Sequence, residues 1–81
     1  MKITVLVFAK LKDAFKSNEL LSHVNGSPSV SEFVRDLFTQ YKLDHLKDLP
    51  LMYAVNGQYV DASQLLQDQD EVAILPPVCG G

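Results

Sequence analysis

Two periods of hydrophobic residues run along the chain, and they predict five strands and one main helix. Apolar residues alternate or cluster with the β-branched and aromatic content of strands in five segments: 3–8, 19–24, 51–55, 58–60 and 71–75. The first segment is apolar on both faces, which indicates a strand near the middle of a sheet. The helix period is carried by Val30, Phe33, Val34, Leu37, Phe38 and Tyr41.

The predicted helix has a start signal and one apolar face. Ser29 and Glu32 stand at the spacing of a capping box, which places the N-terminus of the helix just after Ser29. The aromatic residues on its apolar face could line a ligand groove, but this spacing is typical of a helix packed on a sheet. We therefore assign the face to the core.

Shorter signals predict the connections. Asn56-Gly57 between apolar runs predicts a tight hairpin, because both turn positions need a positive φ. Residues 10–16 predict a short charged helical turn, and residues 61–69 predict a turn with a short helical stretch around Leu65-Leu66. Pro76-Pro77 ends the last strand, since proline cannot donate to a strand ladder.

This order of elements predicts an α+β domain of two layers. One amphipathic helix covers one face of a mixed sheet of about five strands, and the first and last strands can pair in parallel at its centre. That order is the order of a β-grasp, or ubiquitin-like, fold. We expect a domain over residues 1–75 and an extended tail over residues 76–81.

Charge and hydrophobicity limit the partners and the location. A formal charge of −3 over 81 residues disfavours nucleic acid and anionic membranes as partners and favours a basic one. No segment approaches a membrane span. The apolar start could suggest a signal peptide, but Thr4 interrupts it and Lys10 ends it, so we interpret it as a strand. A single cysteine cannot form an internal disulfide, and we expect a cytoplasmic protein.

The sequence contains no pattern of a self-sufficient enzyme or of a metal site. His23 and His45 stand alone and far from Cys79, so no metal ligand spacing is present, and residues 68–71 suggest a solvated turn. Cys79 could be a nucleophile, but no basic residue near it in sequence would lower its pKa. The interpretation we favour for Cys79 is a small side chain in an extended tail.

Gly80-Gly81 gives the tail an unusual shape. Without a Cβ atom, two glycines let the backbone enter a narrow passage, and the Gly81 carboxylate becomes the group that can be reached. Pro76-Pro77 stiffens the base of the tail, and six extended residues span roughly 20 Å. Such a tail can reach deep into another protein.

The whole chain resembles the small, sulfur-carrying subunit of molybdopterin synthase. The matching segments are Val7-Phe8-Ala9, Ala54-Val55-Asn56, Asp70-Glu71-Val72-Ala73, Leu75-Pro76-Pro77-Val78 and Gly80-Gly81. The family often has Thr, Ser or Ala where this chain has Cys79, and a turn glycine is common where it has Gln69.

The resemblance implies a carrier cycle on Gly81. An activating enzyme of the ubiquitin-activating type uses ATP to adenylate the Gly81 carboxylate, and sulfur from a persulfide replaces AMP to give a thiocarboxylate. The tail, Pro76, Pro77, Val78, Cys79 and Gly80, then inserts into the large synthase subunit. There the sulfur is donated to cyclic pyranopterin monophosphate (precursor Z) to form the dithiolene of molybdopterin. The chain is thus implied to be the small subunit of a sulfurtransferase, inactive alone, in a heterotetramer with no bound cofactor.

Strand parity also predicts a docking face. Phe8, Tyr59 and Leu75 have the parity opposite to the predicted core residues Val7, Val60 and Ile74. Apolar side chains near the root of the tail would suit a partner surface.

Three other functions remain open at this stage. A ubiquitin-like modifier would be conjugated to target lysines through Gly81. A thiamine-pathway sulfur carrier would use the same carboxylate chemistry. A non-catalytic β-grasp interaction module would not need Gly80-Gly81 at all.

Overall fold

The computed structural model describes residues 1–46 and 49–75. The predicted tail residues Pro76, Pro77, Val78, Cys79, Gly80 and Gly81 lie outside the described residues. The strands are β1 (Lys2–Val7), β2 (Glu19–His23), β3 (Met52–Val55), β4 (Gln58–Val60) and β5 (Glu71–Leu75). The helices are α1 (Ala9–Phe15) and α2 (Val30–Gln40), and a single 3-10 turn covers Asp44–Leu46.

The five strands form one mixed sheet in the order β2-β1-β5-β3-β4. β1 pairs in parallel with β5, and the other three pairings are antiparallel. The sequence prediction of an α+β β-grasp fold with parallel first and last strands is therefore confirmed. β5 is the central strand, which fixes where the chain leaves the sheet.

The core lies between α2 and one face of the sheet. The apolar face of α2 is buried as predicted, and the residues of β1 and β5 that face it are less than 2% exposed. The buried residues of these three elements are Ile3, Val5, Val7, Val30, Phe33, Val34, Leu37, Phe38, Val72 and Ile74. Burial of these side chains is the main stabilising term of so small a domain.

The first helix contributes more to the core than its sequence suggested. α1 buries Leu11 and Phe15, which stand four residues apart and so share one face of the helix. The Phe15 ring lies 5.7 Å from the Phe38 ring and 4.9 Å from the Tyr41 ring, centroid to centroid. The predicted charged turn at residues 10–16 is thus an amphipathic helix that packs against α2.

The predicted helical stretch within residues 61–69 is wrong. This segment is irregular, and only an isolated bridge joins Leu65 to Ser29. Its carbonyls of Ala62 and Gln64 accept the N–H groups of Ser31 and Val30 at the start of α2. These carbonyls are therefore not available to a helix of their own, while Leu66 turns inward and is fully buried.

Two turns adopt the left-handed backbone that their positions require. Asn56 and Gly57 have φ values of 52° and 84°, which confirms the predicted tight hairpin between β3 and β4. Gln69 has a φ of 73°, so the turn keeps a conformation that favours glycine even though this chain has a side chain there. The Gln69 N–H donates to the Lys2 carbonyl at 2.8 Å and holds this turn against β1.

The predicted capping box of α2 is present. The Ser29 hydroxyl accepts the Glu32 N–H at 3.2 Å, and the Glu32 carboxylate accepts the Ser29 N–H at 3.0 Å. The hydrogen bond from the Ser29 backbone N–H, and after it the Ser29 side chain, lower the pKa of the Glu32 carboxylate below its ordinary value. A carboxylate with a lowered folded-state pKa stabilises the protein above its unfolded pKa, and this contribution is lost as pH falls through the folded pKa.

We expect the cap to be visible in both stability and its pH dependence. Ser29→Ala removes the side-chain acceptor and should cost about 1 kcal/mol of unfolding free energy at neutral pH. Glu32→Gln keeps an acceptor but cannot titrate, so its stability should fall less than that of the unmodified protein between neutral pH and pH values below the ordinary Glu pKa. Urea unfolding across that pH range measures both the stability of Ser29→Ala and the pH dependence of Glu32→Gln. Equal pH profiles for Glu32→Gln and the unmodified protein would contradict the expectation.

Candidate functional site

The central strand, β5, ends in the middle of the sheet. β5 ends at Leu75 between β1, which is parallel to it, and β3, which is antiparallel. Leu75 pairs with Met52 on one side, and Val7 pairs with Ile74 on the other, so that Phe8 follows beside Leu75. Leu75, the last described residue, therefore lies between Phe8 and Met52.

The face of the sheet opposite α2 is open among the described residues, and its part toward the end of β5 is apolar. Register places four side chains in one row across four strands: Leu6, Ala73, Ala54 and Tyr59. Next to this row, toward the end of β5, lie Leu75 and Met52 with Phe8 beside them. We call this set of seven residues the open face.

The predicted docking residues lie on the open face. Phe8 is 43% exposed and Tyr59 is 69% exposed, while Leu75 is half-buried. Val7 and Ile74, which were assigned to the opposite face, are buried, and Val60 packs against the core. The parity argument therefore placed all six side chains correctly, although their role in docking stays a prediction.

The predicted docking residues are three of the seven residues of the open face, and the prediction did not include the other four: Leu6, Met52, Ala54 and Ala73. Met52 is 45% exposed beside Leu75. Their parity was readable in the sequence, but their proximity to Phe8 and Tyr59 depends on the pairing of β5 with β1 and β3. The two alanines in the row are shorter than their neighbours Leu6 and Tyr59, so the centre of the face is low.

A cleft lies on each side of the root of the tail. One, of about 340 Å³, is lined by Leu6, Val7, Phe8, Ala9, Lys12, Asn18 and Glu19. The other, of about 250 Å³, is lined by Leu51, Met52, Tyr53, Tyr59, Val60 and Ala62. Both are shallow and partly apolar, so they could accept side chains of a partner. The first also offers one cation, Lys12, at its rim.

The acidic turn before β5 is a structural element, as its sequence suggested. The Asp68 carboxylate accepts the Lys2 N–H at 2.7 Å, and this bond lowers the pKa of Asp68 below its ordinary value. The Asp70 carboxylate accepts the Gln67 N–H at 2.8 Å and the Asn56 amide at 2.9 Å, and the Asn56 amide oxygen accepts the Glu71 N–H. These bonds fix the start of β5 against β1 and the β3–β4 hairpin.

The described residues offer binding surfaces rather than reactive groups. No polar or charged side chain among them is buried, and His23 and His45 are exposed. Within residues 1–46 and 49–75, no group of three His, Cys, Asp or Glu side chains is placed to hold a metal ion. Neither α1 nor α2 is long and apolar enough to cross a membrane.

The sequence of the chain matches a known family and curated relatives over almost its whole length. The ThiS family model matches residues 5–81. The molybdopterin synthase sulfur carrier subunit of Chlamydomonas reinhardtii is 29% identical over 83 residues, covering all of both chains.

Two solved structures extend the comparison. The SAMP1 structure from Haloferax volcanii superposes with a TM-score of 0.84 at 20% identity, again over all of both chains, and shows the same fold. A chain of the complex of subunits 1 and 2 of molybdopterin-converting factor from Helicobacter pylori is 26% identical, with a TM-score of 0.64 and full coverage of both chains.

Proposed function

Because the chain belongs to the ThiS family, we propose that it is the sulfur carrier subunit of a molybdopterin synthase. The observation that carries the proposal is the family match, which runs to residue 81 and so includes the Pro-Pro-Val-Cys-Gly-Gly segment. A full-length relative with the same carrier name supports the choice of pathway.

The reactive group in this proposal is the Gly81 carboxylate. A carboxylate is a poor electrophile, and transfer of AMP from ATP by an adenylating enzyme would convert it to an acyl-adenylate and release pyrophosphate. The terminal sulfur of a donor persulfide would then displace AMP and give an acyl disulfide. A second thiol of the donor would reduce its S–S bond, which leaves a thiocarboxylate on Gly81 and a disulfide on the donor. ATP serves the activating enzyme and is not a cofactor of this chain.

The carrier delivers sulfur only when its tail lies inside a partner. The large synthase subunit would hold cyclic pyranopterin monophosphate, and the thiocarboxylate would donate its sulfur there toward the dithiolene of molybdopterin. Gly81 would return as a carboxylate. The absence of buried acid or base groups in the described residues fits a subunit that supplies the nucleophile while its partner supplies the pocket.

The open face gives the proposed complex a docking surface. Leu75 ends β5, Phe8 lies beside it, and Tyr59 lies on the same face two strands away, so a partner that covers all three would receive the tail at the same time. The Helicobacter pylori complex, which pairs a similar chain with a second subunit, supports a large subunit as the partner. Aromatic side chains on such a face are typical anchors of protein interfaces.

The intact mass of the protein tests the proposal. Protein purified from cells that contain the activating system should include a species heavier by the difference between one sulfur and one oxygen, and fragmentation should place it on Gly81. Only unmodified protein under those conditions would contradict the proposal. Covalent adducts on target lysines would instead support a modifier, and a thiazole requirement on loss of the protein would support the thiamine pathway.

A further inference from the structure

The β2 strand is one edge of the sheet, and its outer side carries an unusual arrangement of groups. Among the strands that the structure describes, β2 pairs with β1 alone, and Leu21 in its middle is 56% exposed. Hydrogen-bonded and non-bonded residue pairs alternate along an antiparallel ladder. Met1 and Val24 form a doubly bonded pair, and the Val7 N–H donates to the Asn18 carbonyl.

This alternation decides which backbone groups point away from the sheet. The pairs Met1–Val24 and Val7–Asn18 are hydrogen-bonded. Every second pair between them is therefore also hydrogen-bonded, namely Ile3 with Ser22 and Val5 with Leu20. The residues in between, Glu19, Leu21 and His23, therefore turn their N–H and C=O groups toward the open edge. Their side chains lie on the same side of the sheet as the open face, because Leu21 pairs with Thr4 and Glu19 with Leu6.

We propose that β2 pairs with β2 of a second copy of this chain, antiparallel and centred on Leu21. A twofold axis at Leu21 makes the two leucines exchange both N–H···O bonds and places their side chains together. In that register Glu19 of each copy stands opposite His23 of the other. Each end of the dimer interface thus pairs a carboxylate with an imidazole N–H. The two edge strands are therefore complementary in charge and hydrogen bonding without any change of fold.

One side chain limits the strength of this pairing. The Ser17 hydroxyl donates to the Glu19 carbonyl at 2.8 Å and accepts the Glu19 N–H at 3.3 Å, so it already occupies both outward groups of Glu19. The central Leu21 bonds form freely, whereas the outer bonds between Glu19 and His23 require Ser17 to turn away. Ser17 therefore protects the edge, as polar groups on edge strands commonly do, and the dimer is a weak one.

Charge exchange tests the register directly. Glu19→Lys places a cation opposite His23, and His23→Glu places a carboxylate opposite Glu19, so each variant alone should self-associate about tenfold more weakly than the unmodified protein. Mixed in equal amounts, they should form a heterodimer at least as readily as the unmodified protein dimerises. In that pair the new lysine faces the new glutamate, and the original His23 and Glu19 face each other.

Ser17→Ala supplies an independent test in the opposite direction. Freeing both backbone groups of Glu19 should tighten the dimer about tenfold, although the substitution only removes polar atoms from the edge. Sedimentation equilibrium over a wide concentration range measures all four proteins, and slowed amide exchange at Leu21 locates the contact. A Ser17→Ala protein that stays monomeric throughout, or a mixture no more associated than its separate variants, would overturn the proposal.

Discussion

Deletion of Gly81 should abolish sulfur transfer without changing the stability of the domain. In the proposed cycle the terminal carboxylate is the group that is adenylated and sulfurated, and the deletion moves it back by about 3.3 Å. A near-attack geometry tolerates a displacement of only about 1 Å before large losses in rate, so molybdopterin formation should fall to background. The measurement is a reconstituted assay with the large subunit, together with the intact mass after activation.

The fold predicts that this variant stays folded. Within residues 1–46 and 49–75, the buried residues lie between Ile3 and Ile74, and β5 ends at Leu75. The urea midpoint should therefore match that of the full chain. Cys79→Ser is the matched control in the same tail: if Cys79 is only a small side chain, this variant should retain full transfer. Undiminished transfer without Gly81 would contradict the carrier function.

The parts of the fold that sequence predicted are those set by local chemistry. The α2 stripe, its Ser29 cap and the Asn56-Gly57 hairpin each follow from a few residues close together in the chain. The two-faced apolar pattern of the first strand also predicted its interior position, and β1 lies between β2 and β5, although Leu6 on its second face belongs to the open face. These features need no knowledge of distant partners.

The parts that sequence did not predict depend on contacts between distant segments. Residues 62–66 are irregular because two of their carbonyls accept N–H groups at the start of α2 and because Leu66 is buried in the core. No local sequence pattern predicts either contact. The segment of α1 is rich in lysine, so the sequence indicated a charged turn. The spacing of Leu11 and Phe15, four residues apart, was the signal for a buried helix face. The extent of the open face likewise required the register of β5 against both neighbours.

The proposed docking site was likewise predicted in part from local sequence, while the rest depends on strand pairing. Parity alone placed Phe8, Tyr59 and Leu75 on the face opposite the core. That Met52 lies beside Leu75, and that two alanines lower the centre of the face, became visible only with the pairing of β3. A partner surface that fits this face should therefore be convex between two recesses, one for Phe8 and one for Tyr59.

Phe8→Asp should prevent binding to the large subunit while leaving a folded protein. Phe8 is 43% exposed, so its loss removes little from the core, but it lies at the root of the tail, where a docked partner would cover it. A carboxylate in that position would lose its water when a partner covers it, and an apolar partner surface would not offset this loss. Replacement of an aromatic anchor at the centre of an interface costs about 2–4 kcal/mol, and the charge adds to this.

Leu65→Asp is the matched control for this test. Leu65 is 60% exposed, so the two substitutions introduce the same charge at similarly accessible positions. However, Leu65 bridges to Ser29 at the start of α2 and is not on the open face. Calorimetric titration with the large subunit should show binding lost in Phe8→Asp and retained in Leu65→Asp, with cooperative thermal unfolding in both. Equal binding by the two variants would show that the open face is not the docking site, whereas loss in Phe8→Asp alone would assign the partner to the face that surrounds the end of β5.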